Sequence, residues 1–182
     1  MAVESNFLNL GSEIIDFNLK GIDDNYHSPS HHTDKNILVV MFICNHCPYV
    51  KGVTGRLVAL QEKFAGKGVQ FLAINSNDPE AYPEDSFDNM KRFAEERNLN
   101  FPYLVDETQD VARKYDAQCT PDIYVYDRNR ILKYRGRIDD NWKEEEKVTS
   151  NELENAIELL LEGKDIDFKQ IPSIGCSIKW KK

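Results

Sequence analysis

Two cysteines with two residues between them, Cys44 and Cys47 in the stretch FICNHCPYV, are the part of this chain best suited to chemistry. A pair at that spacing has three uses: a dithiol that opens and closes as a disulfide, half of a metal clip, or two small buried side chains. Only an ionised sulfur attacks a disulfide or binds a metal, so whatever surrounds each thiol decides among them. His46 stands between the cysteines, where an imidazolium would favour a neighbouring thiolate. Two more thiols, Cys119 and Cys176, lie far along the chain, and His27, His31 and His32 fall in a polar connection where solvation is expected ahead of metal binding.

The flanking residues must hold the pair in place. Residues 37–43 (ILVVMFI) form an unbroken apolar run rich in β-branched side chains, the pattern of a strand covered on both faces in a parallel sheet. Val50, Val53, Leu57, Leu60, Gln61 and Phe64 recur at helical spacing, and Gly66 and Gly68 end that helix. Residues 69–74 (VQFLAI) give a second core strand, so residues 37–74 predict a βαβ crossover with CNHC at the strand-to-helix junction. Further on, Phe87, Met90, Phe93 and Ala94 mark a helix, residues 103–105 a short strand and residues 111–115 a short helix. Residues 123–126 and 131–134 flank a polar turn and predict a hairpin. Leu153, Ile157, Leu160 and Leu161 predict a last amphipathic helix ending at Gly163.

Composition excludes several classes. A chain of 182 residues can bury a real core and needs neither disulfides nor a metal merely to fold. Its net charge of −8 leaves no basic excess to neutralise phosphates, which argues against a nucleic-acid partner. Four cysteines at uneven spacing do not make a secreted disulfide framework, and the first 18 residues lack a basic start followed by an apolar run. A cytoplasmic protein is therefore expected. No apolar run approaches the roughly 18 residues that suggest a membrane span, so no membrane partner is expected.

With CNHC at such a junction and CTPDIYVYD supplying a proline, a strand and a hairpin turn, the chain resembles the thioredoxin-like superfamily. The segments LGSEIIDFNLKGIDDN, AINSND, FPYLVDET and YRGRIDD resemble its redoxin or peroxiredoxin-like branch, in the group that carries a Cys-X-X-Cys site; the likeness spans residues 8–161. It implies an α/β thioredoxin-like fold: a central mixed β-sheet flanked by helices, with an amino-terminal β-hairpin and a carboxyl-terminal tail. Residues 1–163 would form the redoxin domain and residues 164–182 the tail. It implies too that the Thr120-Pro121 bond is cis and lies against the motif as the substrate-binding loop. Cys119, beside that loop, reads as a functional thiol or as a small loop residue. Cys176 reads first as a surface thiol, with a second resolving cysteine delivered by the tail as the alternative.

At a helix amino terminus a thiolate faces unpaired N–H groups and the positive end of the dipole. Cys44 is accordingly the expected attacking thiol and Cys47, one turn into the helix, the expected resolving thiol. Pro48 suits the first turn. Some family features are missing. Peroxiredoxins place a threonine three residues before the peroxidatic cysteine, where this chain has Met41 ahead of Cys44 and Cys44 ahead of Cys47. Thioredoxins place a buried aspartate six residues ahead of the first cysteine and a tryptophan just before it, where this chain has Leu38 and Ile43. Dithiol exchange tolerates such losses better than peroxide reduction does. The leading expectation is a cytoplasmic, antioxidant thiol-disulfide oxidoreductase, more oxidising than a thioredoxin and without a cofactor. Its partners would be protein or small-molecule disulfides and a thiol reductant such as thioredoxin or glutathione. A thiol peroxidase is one alternative. The other is soft-metal binding, such as Cu(I), by Cys44, Cys47 and either His46 or Cys119, as in redoxin-fold copper chaperones.

Overall fold

The structure is a computed structural model that describes every residue except Met1 and Leu8, the latter being where the family likeness begins. In chain order the first half contains β1 (Ala2–Glu4), β2 (Leu19–Gly21), β3 (Tyr26–His27), β4 (Ile37–Phe42), α1 (Pro48–Ala65), β5 (Val69–Asn75) and α2 (Phe87–Glu96). The second half contains β6 (Tyr103–Val105), α3 (Asp110–Lys114), β7 (Cys119–Thr120), β8 (Asp122–Tyr126), β9 (Leu132–Arg135), α4 (Glu152–Leu161) and β10 (Ile174–Ser177).

Every residue of β4 is buried, as its apolar run requires. The pleat sends Ile37, Val39 and Met41 to a layer made by α1, α2 and α4. Leu38, Val40 and Phe42 point the other way, onto α3, Tyr124 and Phe17. α1 carries the chain back to β5, which pairs with β4 in parallel from Ile37↔Val69 to Phe42↔Ile74. That is the expected crossover. The seven-stranded sheet runs β3-β2-β6-β5-β4-β8-β9; β4, β5 and β6 are parallel, while β8 is antiparallel to β4. It is the mixed α/β sheet expected, with β4 near its centre.

Two expectations need correction, and one segment gains an assignment. The amino-terminal hairpin exists but starts late: β2 pairs with β3, so its second strand lies beyond the LGSEIIDFNLKGIDDN segment, and residues 10–18 contribute only a bridge from Glu13 to Ile131. His27 is not simply solvated, because its Nε2 lies 3.0 Å from the Asp23 carboxylate. The tail, to which the sequence assigned no element, contributes a strand. Its strand β10 lies between β1 and β7 in a second, three-stranded sheet, which joins both chain ends to the loop ahead of Pro121.

Candidate redox site

Cys44 and Cys47 occupy the turn between β4 and α1, and both are fully buried. The helix begins at Pro48, where a missing N–H costs nothing, so Cys47 is the N-cap residue and not one turn inside. Facing the pair is the turn between β7 and β8, where the Thr120-Pro121 bond is cis. The Thr120 hydroxyl lies 3.3 Å from Cys44 Sγ, and the Thr120 carbonyl oxygen lies 3.1 Å from Cys47 Sγ. Asp122, next after the proline, anchors this loop: its buried carboxylate accepts from Ser5 Oγ at 2.7 Å, the Gln118 N–H at 3.0 Å and Arg135 at 3.1 Å.

The two thiols are electrostatically coupled, so the first proton lost leaves the second harder to remove. In the fully protonated dithiol Cys47 donates to the Thr120 carbonyl. The Cys47 thiol is drawn down, first by its interaction with Cys44, against the opposing effect of burial, with help from Cys176 and the backbone N–H groups of Val50 and Cys176. The Cys44 thiol is pushed up, first by its interaction with Cys47, then by burial and the nearby Asp85 carboxylate. The interaction between the two thiols thus directs charge toward Cys47, whereas the sequence alone points to Cys44.

His46 does not face the thiols alone. Its Nδ1 lies 2.7 Å from Asp85 Oδ2, and its ring stacks on Tyr82 with 5.3 Å between centroids. Asp85 is the residue that sequence reasoning missed. Its buried carboxylate accepts from the Asn45 N–H at 2.7 Å and from Asn77 Nδ2 at 2.7 Å, which fixes the CNHC turn from below. Asn45 is held further by Tyr103, whose hydroxyl donates to Asn45 Oδ1 at 2.9 Å. The AINSND segment supplies Asn75 and Asn77 to this network, and Asn77 Oδ1 also accepts the Lys179 N–H of the tail at 2.8 Å.

Cys44, His46 and Asp85 bring ligand atoms within 4.8 Å of one another, the set that could hold a metal ion among the described residues. Cys119 does not belong to it. Its S–H points to the carbonyls of Pro121 and Ser173 at 3.4 and 3.9 Å, and burial raises its pKa. Cys176 is half-buried on β10 opposite Thr120, packed against the core cluster that contains Cys44 and Cys47. The structure therefore brings Cys44, Cys47, His46, Thr120, Pro121 and Cys176 to one place and leaves Cys119 behind the loop.

A buried dithiol between the end of a central parallel strand and a helix, with a cis-proline turn against it, defines a thioredoxin-like redoxin. The same fold is found in a putative thiol:disulfide interchange protein DsbE from Chlorobium tepidum, 18% identical, with 86% of this chain and 98% of that one covered and a TM-score of 0.66. Residues 10–135 match the AhpC/TSA family, and the chain belongs to it. It is similar to an uncharacterized conserved protein from Geobacillus kaustophilus, 49% identical over 100% of this chain and 97% of that one, with a TM-score of 0.93. It is also similar to the thiol-disulfide oxidoreductase ResA of Geobacillus thermodenitrificans, 25% identical over 126 residues, which are 68% of this chain and 67% of that protein.

Proposed function

We propose that this protein is a thiol-disulfide oxidoreductase in which Cys44 and Cys47 form the redox couple. The observation that carries this reading is the pair of buried sulfurs that both lie against Thr120 of the cis-proline turn, Cys44 beside its hydroxyl and Cys47 beside its carbonyl oxygen. The Cys47 thiolate attacks a disulfide sulfur presented at this turn and expels the other sulfur as a thiolate. Cys44 then gives up its proton and attacks Cys47, which closes the Cys44–Cys47 disulfide and releases the substrate as a dithiol. Two electrons and two protons leave the protein, and a thiol reductant such as thioredoxin or glutathione restores them. His46 and Asp85 position the turn and set its electrostatics, and no cofactor enters the exchange. The ResA likeness supports a redox enzyme of this kind.

A second reading, thiol peroxidase, draws on the Thr120 hydroxyl at 3.3 Å from Cys44 Sγ, since a hydroxyl beside a cysteine is what orients a peroxide. That hydroxyl serves the sulfur that resists ionisation, so disulfide exchange remains the favoured use. Correct placement of a reactant can supply about 7–11 kcal/mol of a barrier, so the two chemistries should separate widely in rate. We expect turnover of an insulin-type disulfide to vanish in both Cys44→Ser and Cys47→Ser, and stopped-flow oxidation by hydrogen peroxide to run near the rate of an ordinary low-pKa thiol. A peroxide rate orders of magnitude faster, with disulfide turnover absent, would establish the peroxidase instead.

A further inference from the structure

The couple is screened from solvent on the side of the cis-proline turn. Cys44 and Cys47 are both at 0% exposure, and the strand covering them is the chain's own tail. β10 pairs antiparallel with β7, placing Cys176 opposite Thr120 and Ser177 opposite Cys119, along the backbone edge beside the cis-proline turn. Gly175 allows this approach: a Cβ there would meet the Thr120 carbonyl oxygen at 2.0 Å. The strand is pinned beyond that point, because the Asp78 N–H and Gln109 Nε2 both donate to the Lys179 carbonyl at 2.8 Å. Of the four cysteines, Cys176 is the one that is not fully buried, and it packs against the core cluster that contains Cys47, opposite the Thr120 whose carbonyl accepts from Cys47.

From this arrangement we infer that Cys176 is a third redox thiol, which carries electrons between outside thiols and the buried Cys44–Cys47 couple through a Cys47–Cys176 disulfide. The inference rests on the reading of Cys44 and Cys47 as the couple. In the reducing direction the Cys176 thiolate attacks Cys47 Sγ of the Cys44–Cys47 disulfide; the Cys47–Cys176 bond forms, and Cys44 leaves as a thiolate that takes up a proton. An outside thiolate then attacks Cys176 Sγ, forms a mixed disulfide there and expels Cys47 as a thiolate. A second outside thiolate attacks the outside sulfur of that mixed disulfide, which yields the outside disulfide and frees Cys176. The net change is one protein disulfide reduced and two thiols oxidised.

The electrostatics suit this order. While Cys47 is charged, burial and that charge hold the Cys176 thiol up at about 11. Once Cys47 is tied in a disulfide its charge is gone, Lys179 remains alongside, and Cys176 ionises more readily. The low pKa of Cys47 also makes it a good leaving group when Cys176 is attacked from outside.

Two measurements on the full-length protein test the relay. Cys44→Ser, oxidised with oxidised glutathione and mapped without reduction, should yield mainly a peptide pair joined through Cys47 and Cys176. Oxidised Cys176→Ser should be reduced by glutathione at least tenfold more slowly than the wild type. The inference is overturned if Cys176→Ser is reduced as fast as the wild type, or if Cys44→Ser carries glutathione on Cys47 and a free Cys176. Failure of the couple itself looks different: the oxidised wild type would then contain no Cys44–Cys47 disulfide, and the relay would fall with it.

Discussion

Cys44 and Cys47 differ in environment although only two residues separate them. Their mutual interaction lowers Cys47 and raises Cys44, and burial and Asp85 raise Cys44 further. A thiol whose pKa is lowered is ionised above that value and protonated below it, so Cys47 should remain charged down to about pH 5. Ultraviolet thiolate absorbance of the reduced protein should therefore persist into the acid range in the wild type and in Cys44→Ser, whose hydroxyl still donates to Cys47. It should be lost below about pH 8 in Cys47→Ser, where only ordinary or raised thiols remain. Persistence in Cys47→Ser with loss in Cys44→Ser would return the charge to Cys44. The thiols themselves were legible in the sequence from their spacing and setting. Their division of labour was not, because Pro48 fits the first turn in either register. Asp85 was hidden because it sits 38 residues beyond Cys47 in an acidic stretch, YPEDS, that reads as a solvated surface. Only the folded chain brings it under CNHC.

At the scale of elements, the strands and helices with strong periodicity were readable, as were the short β6 and α3, whereas strands held only by distant pairing were not. β4, α1 and β5 follow from apolar runs that admit one arrangement, and the hairpin of β8 and β9 follows from its polar turn. β1, β7 and β10 are two to four residues long and exist through pairing with segments more than 50 residues away, a relation that no local pattern records. The tail strand is the most consequential of these, since it covers the dithiol. Its seat depends on Gly175, where any side chain would run into Thr120 backbone atoms at 2.0 and 2.5 Å. Gly175→Ala should push β10 off the turn, raise the alkylation rate of Cys47 about tenfold or more, and lower stability by about 1–3 kcal/mol. Brief labelling followed by mass spectrometry reads the first effect and urea unfolding the second. An unchanged labelling rate would mean that the tail does not limit access.

Across the whole molecule, one buried cation ties distant parts together beneath the site. Arg135 at the end of β9 pairs with Asp122 at 3.1 Å, donates to the Asp116 carbonyl at 2.8 Å and reaches Asn6 Oδ1 at 2.6 Å. It thus links the amino-terminal segment, the residues after α3 and the strand that follows the cis-proline turn. Arg135→Leu would strand the buried Asp122 carboxylate and should cost about 3–5 kcal/mol in urea unfolding. A loss below 1 kcal/mol would contradict that account. The sequence marked YRGRIDD as a family segment without revealing this role, because ion-pair partners across β8 and β9 are set by tertiary packing. The assembled molecule presents its dithiol with a charged Cys47, and stabilising the thiolate favours the reduced form, which makes the couple oxidising. The most direct test is a redox titration of the full-length protein in glutathione buffers, with the linked cysteines identified by mass spectrometry. The account predicts a single two-electron transition that joins Cys44 to Cys47, at a potential above the roughly −270 mV of thioredoxin. The absence of any Cys44–Cys47 disulfide across the titration would contradict it.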